Sequence, residues 1–302
     1  QDSNAVNPRF VQIHIQGGNR ELVKNYDQKT VKFNRFVESK ESDLEYALLA
    51  NGFLSFLVEN SLSHDTLHHF VKCEQQFYWS NLKIDDRTES VFRESGVSVK
   101  SLERNAISPY RIESSIERGL TYLENNGFPF AKFQFDSLSF DGDEVSGLLK
   151  LSRGRLVRID SVSVQGDLKL RKSYLTNYLN IKEGNLYSEK SIKKIPEKIG
   201  SIRFVNQVKT PLVSFQEDVT KVILYLNKRQ ASSFDGIIGF LPDNVTGDIL
   251  ITGDVKLHLE NALKQGEVVD LNWRKLQNNT QELNVELISP FVLNSPFSVD
   301  GK

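Results

Sequence analysis

The sequence predicts an α+β chain in which tandem β-α-α-β-β modules precede a run of antiparallel strands with one apolar and one polar face. Three observations predict it. A helix–glycine–strand–turn–strand unit recurs, with Gly52 and Gly127 lying 75 residues apart. A third, more complete copy occupies residues 157–230. Beyond Arg229 helical periodicity stops and two-residue alternation replaces it.

The first copy runs from Asp43 to Gly52-Phe53, then through the alternating stretch Leu54 to Leu62 and from Leu67 to Val71. In the second, Ile112, Ile116, Leu120 and Leu123 recur at helical spacing and mark one buried face. Asn126-Gly127 stops that helix, since glycine after the last turn accepts a left-handed backbone. Phe133, Phe135 and Leu138 then form an extended aromatic run, Asp141-Gly142-Asp143-Glu144 a hairpin turn, and Val145 to Leu151 the return strand. The third copy opens with a strand holding Ile159, Val162 and Val164, which closes at Gln165-Gly166-Asp167. A helix over Leu170 to Leu179, the phrase Ile181-Lys-Glu-Gly-Asn-Leu-Tyr187 and a second helix from Ser188 to Ile199 follow. Phe204 to Phe215 and Val219 to Asn227 complete the copy as a strand pair.

The last segment reads as four strands. Ser232 to Leu241 contains glycines and ends at Pro242-Asp243-Asn244. Along Ile249 to Leu259, Ile249, Ile251, Val255, Leu257 and Leu259 share one face, opposite Thr252, Asp254, Lys256 and His258. From Glu267 to Leu276, Val269, Leu271 and Trp273 oppose Asp270, Asn272 and Arg274. From Gln281 to Ile288, Leu283, Val285 and Leu287 oppose Asn284 and Glu286. These lengths approach the roughly 9–11 residues that cross a bilayer when tilted, with Trp273 placed for an aromatic girdle. A soluble sandwich with one solvated face shows the same alternation.

Composition narrows the function. The formal charge of −1 and the lack of a basic run argue against a nucleic-acid partner. No stretch is long and apolar enough for a membrane-spanning helix, which leaves strands untouched. The chain has no methionine and no leader-like start, so Gln1 is expected to follow a removed leader. Cys73 stands alone and reads as a small buried residue on a strand. His64, His68 and His69 straddle a strand–turn–strand and read as exposed polar groups, with no metal expected. Asp141, Asp143 and Glu144 read as a solvated hairpin tip and not a calcium loop. Gly236 and Gly239 open no helix, and no hydrolase or phosphate-binding motif is present, so neither enzyme nor cofactor is expected.

The third copy, with "GDLKLRKSYLTNYLNIKEGNLYSEKSIKKI", "FVNQVKTPLVSF" and "VTKVILYLNKR", resembles a POTRA domain, the periplasmic module of Omp85 (BamA-like) outer-membrane proteins. Leu175, Leu179, Ile181, Gly184 and Tyr187 carry that family's pattern, and the two earlier copies lack its glycine–tyrosine phrase. The resemblance implies POTRA-like modules over residues 1–75, 76–156 and 157–230, with Phe10 to Gly17 and Phe77 to Ile84 as the earlier opening strands. Residues 231–302 would be the first four strands of a sixteen-stranded transmembrane barrel, the phrase "SPFVLNSPFSVDG" resembling the periplasmic turn after the fourth.

It also implies recognition without chemistry. Unfolded barrel clients would add to two edge strands through backbone hydrogen bonds: one with Ala131, Phe133 and Phe135, the other with Val205, Val208, Val213 and Phe215. The first barrel strand, with Phe234, Gly236, Ile238, Gly239 and Phe240, would form a labile lateral seam, because glycine and the closing proline weaken a ladder. Val255, Leu257, Leu259, Val269, Leu271 and Trp273, with Leu283, Val285 and Leu287, would face lipid. Asp254, Lys256, His258, Asp270, Asn272 and Arg274 would face the lumen. The expected role is an outer-membrane assembly factor with its modules in the periplasm, working on outer-membrane lipid beside lipoproteins or other assembly subunits. A family translocator, whether for two-partner secretion or for TamA-like export or lipid handling, and a soluble periplasmic scaffold stand as alternatives.

Overall fold

The computed structural model describes residues 8–103, 106–216, 218–242, 247, 249–277, 280–292 and 297–302. The chain divides into two compact units, Gln1–Glu124 with Phe130–Arg155, and Asn125–Pro129 with Leu156–Lys302.

The first unit holds two sheets. In order come β1 (Phe10–Gln16), α1 (Arg20–Tyr26), β2 (Thr30–Lys32), and α2 (Phe33–Arg35), which passes through a π-helical turn into α3 (Glu41–Ala50). β3 (Phe56–Ser63) and β4 (Thr66–Cys73) complete a sheet of order β2-β1-β4-β3, with β1 and β4 parallel. Val11, Ile13, Leu44, Leu48 and Val71 form its core, and Cys73 is buried at the end of β4. α1 and β2 go beyond the expected β-α-α-β-β plan. Their start is set by Asn19, whose side chain accepts from Leu22 N at 2.9 Å.

The second sheet is built from β5 (Tyr78–Ile84), α4 (Asp86–Glu94), α5 (Lys100–Glu103), α6 (Pro109–Asn125), β6 (Lys132–Asp141) and β7 (Glu144–Ser152). Its strand order is β5-β7-β6, with β5 and β7 parallel and β6 at one edge. Leu82, Phe92, Leu102 and Leu149 are its buried centre. Gly52 and Gly127 adopt φ of +84° and +90°, the left-handed geometry expected where their helices stop.

In the second unit, β8 (Ser161–Gln165), α7 (Lys172–Leu179), α8 (Glu189–Lys193), α9 (Ile195–Gly200), β9 (Val205–Gln216) and β10 (Val219–Lys228) form a β-α-α-β-β module with one added break. The sequence suggested one helix from Ser188 to Ile199. It is interrupted at Lys194 because Pro196 has no N–H to donate to the preceding turn. Strand order is β8-β10-β9, and the central strand buries Val222, Leu224 and Leu226 completely against Leu175, Ile195 and Ile199. Gly166, at φ +127°, lets the chain leave β8 against the Leu226 carbonyl, where a Cβ would overlap that oxygen.

The same unit ends in a meander of β11 (Ser233–Pro242), β12 (Ile249–Glu260), β13 (Val268–Gln277), β14 (Thr280–Ser289) and β15 (Val299–Gly301), paired in chain order and antiparallel throughout. β15 corrects the expected count of four strands. Its three residues are too few for alternation to register in sequence, yet Val299 pairs with Ser289 on the open edge of β14. Asp243 and Asn244 of the expected turn after Pro242, and residues 293–296 of the expected turn after the fourth strand, lie outside the described residues.

Two predictions follow from these cores. Leu224→Ala should destabilise the second unit by about 2–5 kcal/mol through loss of contacts around an unrelaxed cavity, while Leu212→Ala, at a half-exposed site, should move it little; urea unfolding would measure both. His69 is buried, contrary to the expectation of an exposed polar group, because strand alternation turns it to the core, beside Phe36 and 2.8 Å from Asn60 Oδ1. Burial lowers its pKa below the usual 6.5, with Glu41 opposing in part. The unfolded chain therefore takes up a proton as pH falls through that value while the folded sheet resists. Stability present above it should be lost on acidification, seen as faster amide exchange in β1 and β4, and His69→Gln should flatten that slope.

Candidate functional site

The edge strand β6 carries the most developed surface of the first unit. Gly119 of α6 is the reason the helix can lie against it, since a Cβ there would meet Phe133 Cζ at 2.9 Å. Phe133 stacks on Phe92 at 5.4 Å and Phe135 on Trp79 at 5.9 Å, so both expected edge residues pack half-buried on the helix-covered face of the sheet. Ala131 precedes the strand. Midway, Ser137 takes φ +59° and the β6–β7 register shifts between Asp136 and Ser139. Lys150 pins this bulge through an ion pair with Asp136 at 2.5 Å, which holds that carboxyl below its usual pKa. Beyond the bulge, Leu138 and Phe140 stay 48% and 61% exposed. With Trp79, Ile112, Ile116 and Phe135 they line an apolar groove of 560 Å³, bordered by Glu113 and Glu117. The groove was not foreseen, because the bulge that re-aims Leu138 depends on cross-strand register.

The second expected edge, β9, is outermost in its sheet. Val205 is buried and Val213 and Phe215 pack on the core, leaving Val208 as the exposed one of the four expected side chains. Lys209, over the Tyr225 ring at 3.9 Å, and Pro211 within the strand blunt this edge.

The meander separates its faces as the alternation required. Cross-strand partners share a face, and Val255↔Trp273, Leu257↔Leu271 and Leu259↔Val269 continue into Trp273↔Leu283, Leu271↔Val285 and Val269↔Leu287. Phe234, Ile238 and Phe240 of β11 extend this apolar face at 71%, 57% and 68% exposure. Gly253 permits the tight approach of Trp273, whose Cζ3 would lie 3.0 Å from a Cβ there. On the other face, Arg274 donates from Nε and Nη2 to Asp254 Oδ2 at 3.0 and 2.8 Å. His258 bridges Asp270 at 2.6 Å and Glu260 at 3.0 Å. Lys256 and Asn272 lie opposite each other between these pairs, in a depression of 500 Å³. Ile237 and Leu241 also fall on this face, so β11 is apolar on both sides. Gly236 and Gly239 do not interrupt its ladder with β12, which is continuous from Ser233 to Pro242. Among the described residues β11 has no second partner.

A junction that sequence reasoning missed ties the meander to the module before it. In the β12–β13 turn the buried Glu267 carboxylate accepts from the backbone N–H of Leu263 and of Gln265, and Asn261 Oδ1 accepts from Gly266 N at 3.0 Å. The shaped turn then docks on the start of α7: Arg171 N donates to Lys264 O at 2.9 Å, Arg171 Nη1 to Gln265 Oε1 at 3.0 Å, and Asn261 Nδ2 to Lys169 O at 3.1 Å. Gly266 lies flat on the Tyr174 ring, which meets Phe291 edge-on at 5.4 Å. Burial pushes the Tyr174 hydroxyl up to about 12. Gly266→Val should free the turn from α7, with increased amide exchange at residues 263–267 while the β11–β12 ladder stays protected.

Among the described residues no cluster of three or more His, Cys, Asp and Glu side chains could hold a metal ion, and no helix is long and apolar enough to cross a membrane. The POTRA family model, "Surface antigen variable number repeat", matches residues 157–228, the span of β8 to β10. No curated protein matches the chain. Among solved structures, BamA from Haemophilus ducreyi lacking POTRA domains 1-3 is 15% identical at TM-score 0.46, over 75% of this chain and 41% of its own. Haemophilus influenzae BamA POTRA3-5 is 11% identical at 0.44, over 73% and 96%. CdiB from Acinetobacter baumannii is 12% identical at 0.40, over 72% and 42%. The chain thus spans about two fifths of the length of two of these proteins. The family match is thus seated on a module that has its own buried core and opens into a β-meander, and residues 157–228 are the part of this chain that is similar to a POTRA domain.

Proposed function

We propose that this chain is the periplasmic arm and the opening barrel strands of an outer-membrane assembly factor that folds and inserts β-barrel proteins. One observation carries the reading. A sheet of bilayer-crossing strand length, apolar on one face and ion-paired on the other, follows the POTRA module directly and is fixed to it by the Glu267 turn. The face with Val255, Leu271 and Val285 meets lipid, and the face with Asp254, His258 and Arg274 lines a polar lumen. Such a sheet cannot end in lipid with β11 unpaired, so β11 closes against a strand of the whole protein as the lateral seam. Its apolar residues on both faces and its two glycines suit a strand that alternates between a closing partner and a client. Of the two candidate edges, β6 is the better client site. It offers an unpaired backbone beside an apolar groove, whereas Lys209 and Pro211 protect β9. Clients are then held by main-chain hydrogen bonds with apolar side chains in the groove, and no chemical step is involved.

Depletion of the full-length protein in its native cell is expected to cause a broad loss of folded outer-membrane barrels, read as heat-modifiable gel mobility. An unchanged barrel population would overturn the reading in favour of a single exported substrate or lipid handling. Leu138→Asp with Phe140→Asp should lower client photo-crosslinking to β6 by about tenfold with a much smaller effect on module stability, since both side chains are about half exposed in the groove; urea unfolding would separate the two effects.

A further inference from the structure

The first sheet carries an arrangement that the proposed function does not use. Gln12 and His14 of β1 share the solvent face with His68 and Phe70 of β4, opposite the core face of Val11, Ile13 and Val71. His14 Nε2 lies 3.0 Å from His68 Nδ1. Phe70 stacks on His14 at 4.5 Å and 15°, and on His68 at 6.2 Å and 26°, giving both rings a common apolar floor. Gln28 Nε2 lies 3.2 Å from the second nitrogen of His14, and Gln12 Nε2 donates to Gln28 Oε1 at 3.2 Å. Gln28 is itself fixed there, because its backbone N–H donates to Ile13 O at 2.8 Å while its φ of +55° turns the chain.

We propose that His14 and His68 form an open two-imidazole site for a divalent transition-metal ion of the copper(II) or nickel(II) type. With metal–nitrogen bonds of about 2.0–2.1 Å, two nitrogens 3.0 Å apart subtend about 95° at the ion. That is near the right angle of tetragonal sites and well short of a tetrahedral one, so copper(II) and nickel(II) fit better than zinc, in line with the order of intrinsic affinities. In the free protein the 3.0 Å contact is a single N–H···N hydrogen bond between the rings. On binding, that proton moves to His14 Nδ1, where the Gln28 carboxamide, turned over, accepts it through Oε1, and Gln12 turns over with it so that its own Oε1 accepts from Gln28 Nε2; each ring then gives one lone pair to the ion and no proton is lost to solvent. A hydrogen-bond acceptor behind a metal-bound imidazole is the usual support for such a ligand. The two nitrogens face each other along the line between the rings, whose centroids are 5.3 Å apart, so each ring turns away from that line to aim its lone pair at a shared point, and water fills the remaining positions. His64, in the β3–β4 turn beside Ser63, and His69, on the core face, stand outside the site.

Copper(II) titration of the whole chain at about pH 7.5 tests this, by calorimetry and by electron paramagnetic resonance. Expected are one ion per chain and a tetragonal spectrum with nitrogen hyperfine structure. His14→Ala and His68→Ala should each weaken binding at least about tenfold, Gln28→Ala by a smaller factor, and His64→Ala not at all. Unchanged affinity in either His14→Ala or His68→Ala would overturn the proposal, as would tighter binding of zinc than of copper. Should an alanine variant unfold by circular dichroism, His68→Gln and His14→Gln keep the polarity of the face and give the same reading. The titration involves neither clients nor membrane insertion, so its outcome is independent of the assembly role.

Discussion

The constraint on which this protein depends is the pairing of backbone N–H and C=O groups at the edges of its sheets. Each three-stranded module keeps one strand paired on both sides with its alternate residues buried, β7 in one and β10 in the other, and leaves β6 or β9 with a single partner among the described residues. A lone edge is a hazard for an ordinary protein and a tool for one that handles extended chains. The two edges are treated differently. β9 is blunted by Pro211 and Lys209, while β6 is bulged at Ser137 so that Leu138 and Phe140 stand beside the open backbone. The same constraint governs the meander, where β11 is paired along its whole length to β12 and to nothing else described.

The module meets the meander through a hydrogen-bonded turn docked on α7. The turn from Asn261 to Glu267 is held by its own side chains as well as by α7, because the buried Glu267 carboxylate and Asn261 accept from three of its backbone N–H groups. A preformed turn can then transmit the position of α7 to β12 and β13 without paying for its own ordering at the contact. Gly266 is needed there because any side chain would occupy the space of the Tyr174 ring. The polar face follows a related logic: Arg274 pairs with Asp254 and His258 with Asp270 across neighbouring strands, and His258 also meets Glu260 along its own strand.

The histidines show how one strand can serve two roles. His68 and His69 are adjacent in β4 and point to opposite faces, one into a solvent-side pair with His14, the other into the core against Phe36. Sequence placed His64, His68 and His69 together as one group. The structure separates all three and recruits His14, 54 residues away, through the parallel pairing of β1 with β4.

What the sequence by itself determined is periodic or local. Helical spacing marked α6, Gly52 and Gly127 marked where helices stop, the Gly184–Tyr187 phrase marked the module later matched to POTRA, and two-residue alternation separated the faces of β12, β13 and β14. Each of these is legible because neighbouring residues fix it through backbone geometry. The α8–α9 break at Pro196 is equally local, since the missing proline N–H ends the helical ladder there. Only the tertiary structure decided the rest. The added strands β2 and β15 are too short to show a period, the groove beside β6 depends on a register shift, and the Glu267 turn and the His14–His68 pair join residues that are distant in sequence or fixed by a long-range docking. Register and long-range pairing arise when separate segments bury one another, and no window of the chain contains both partners.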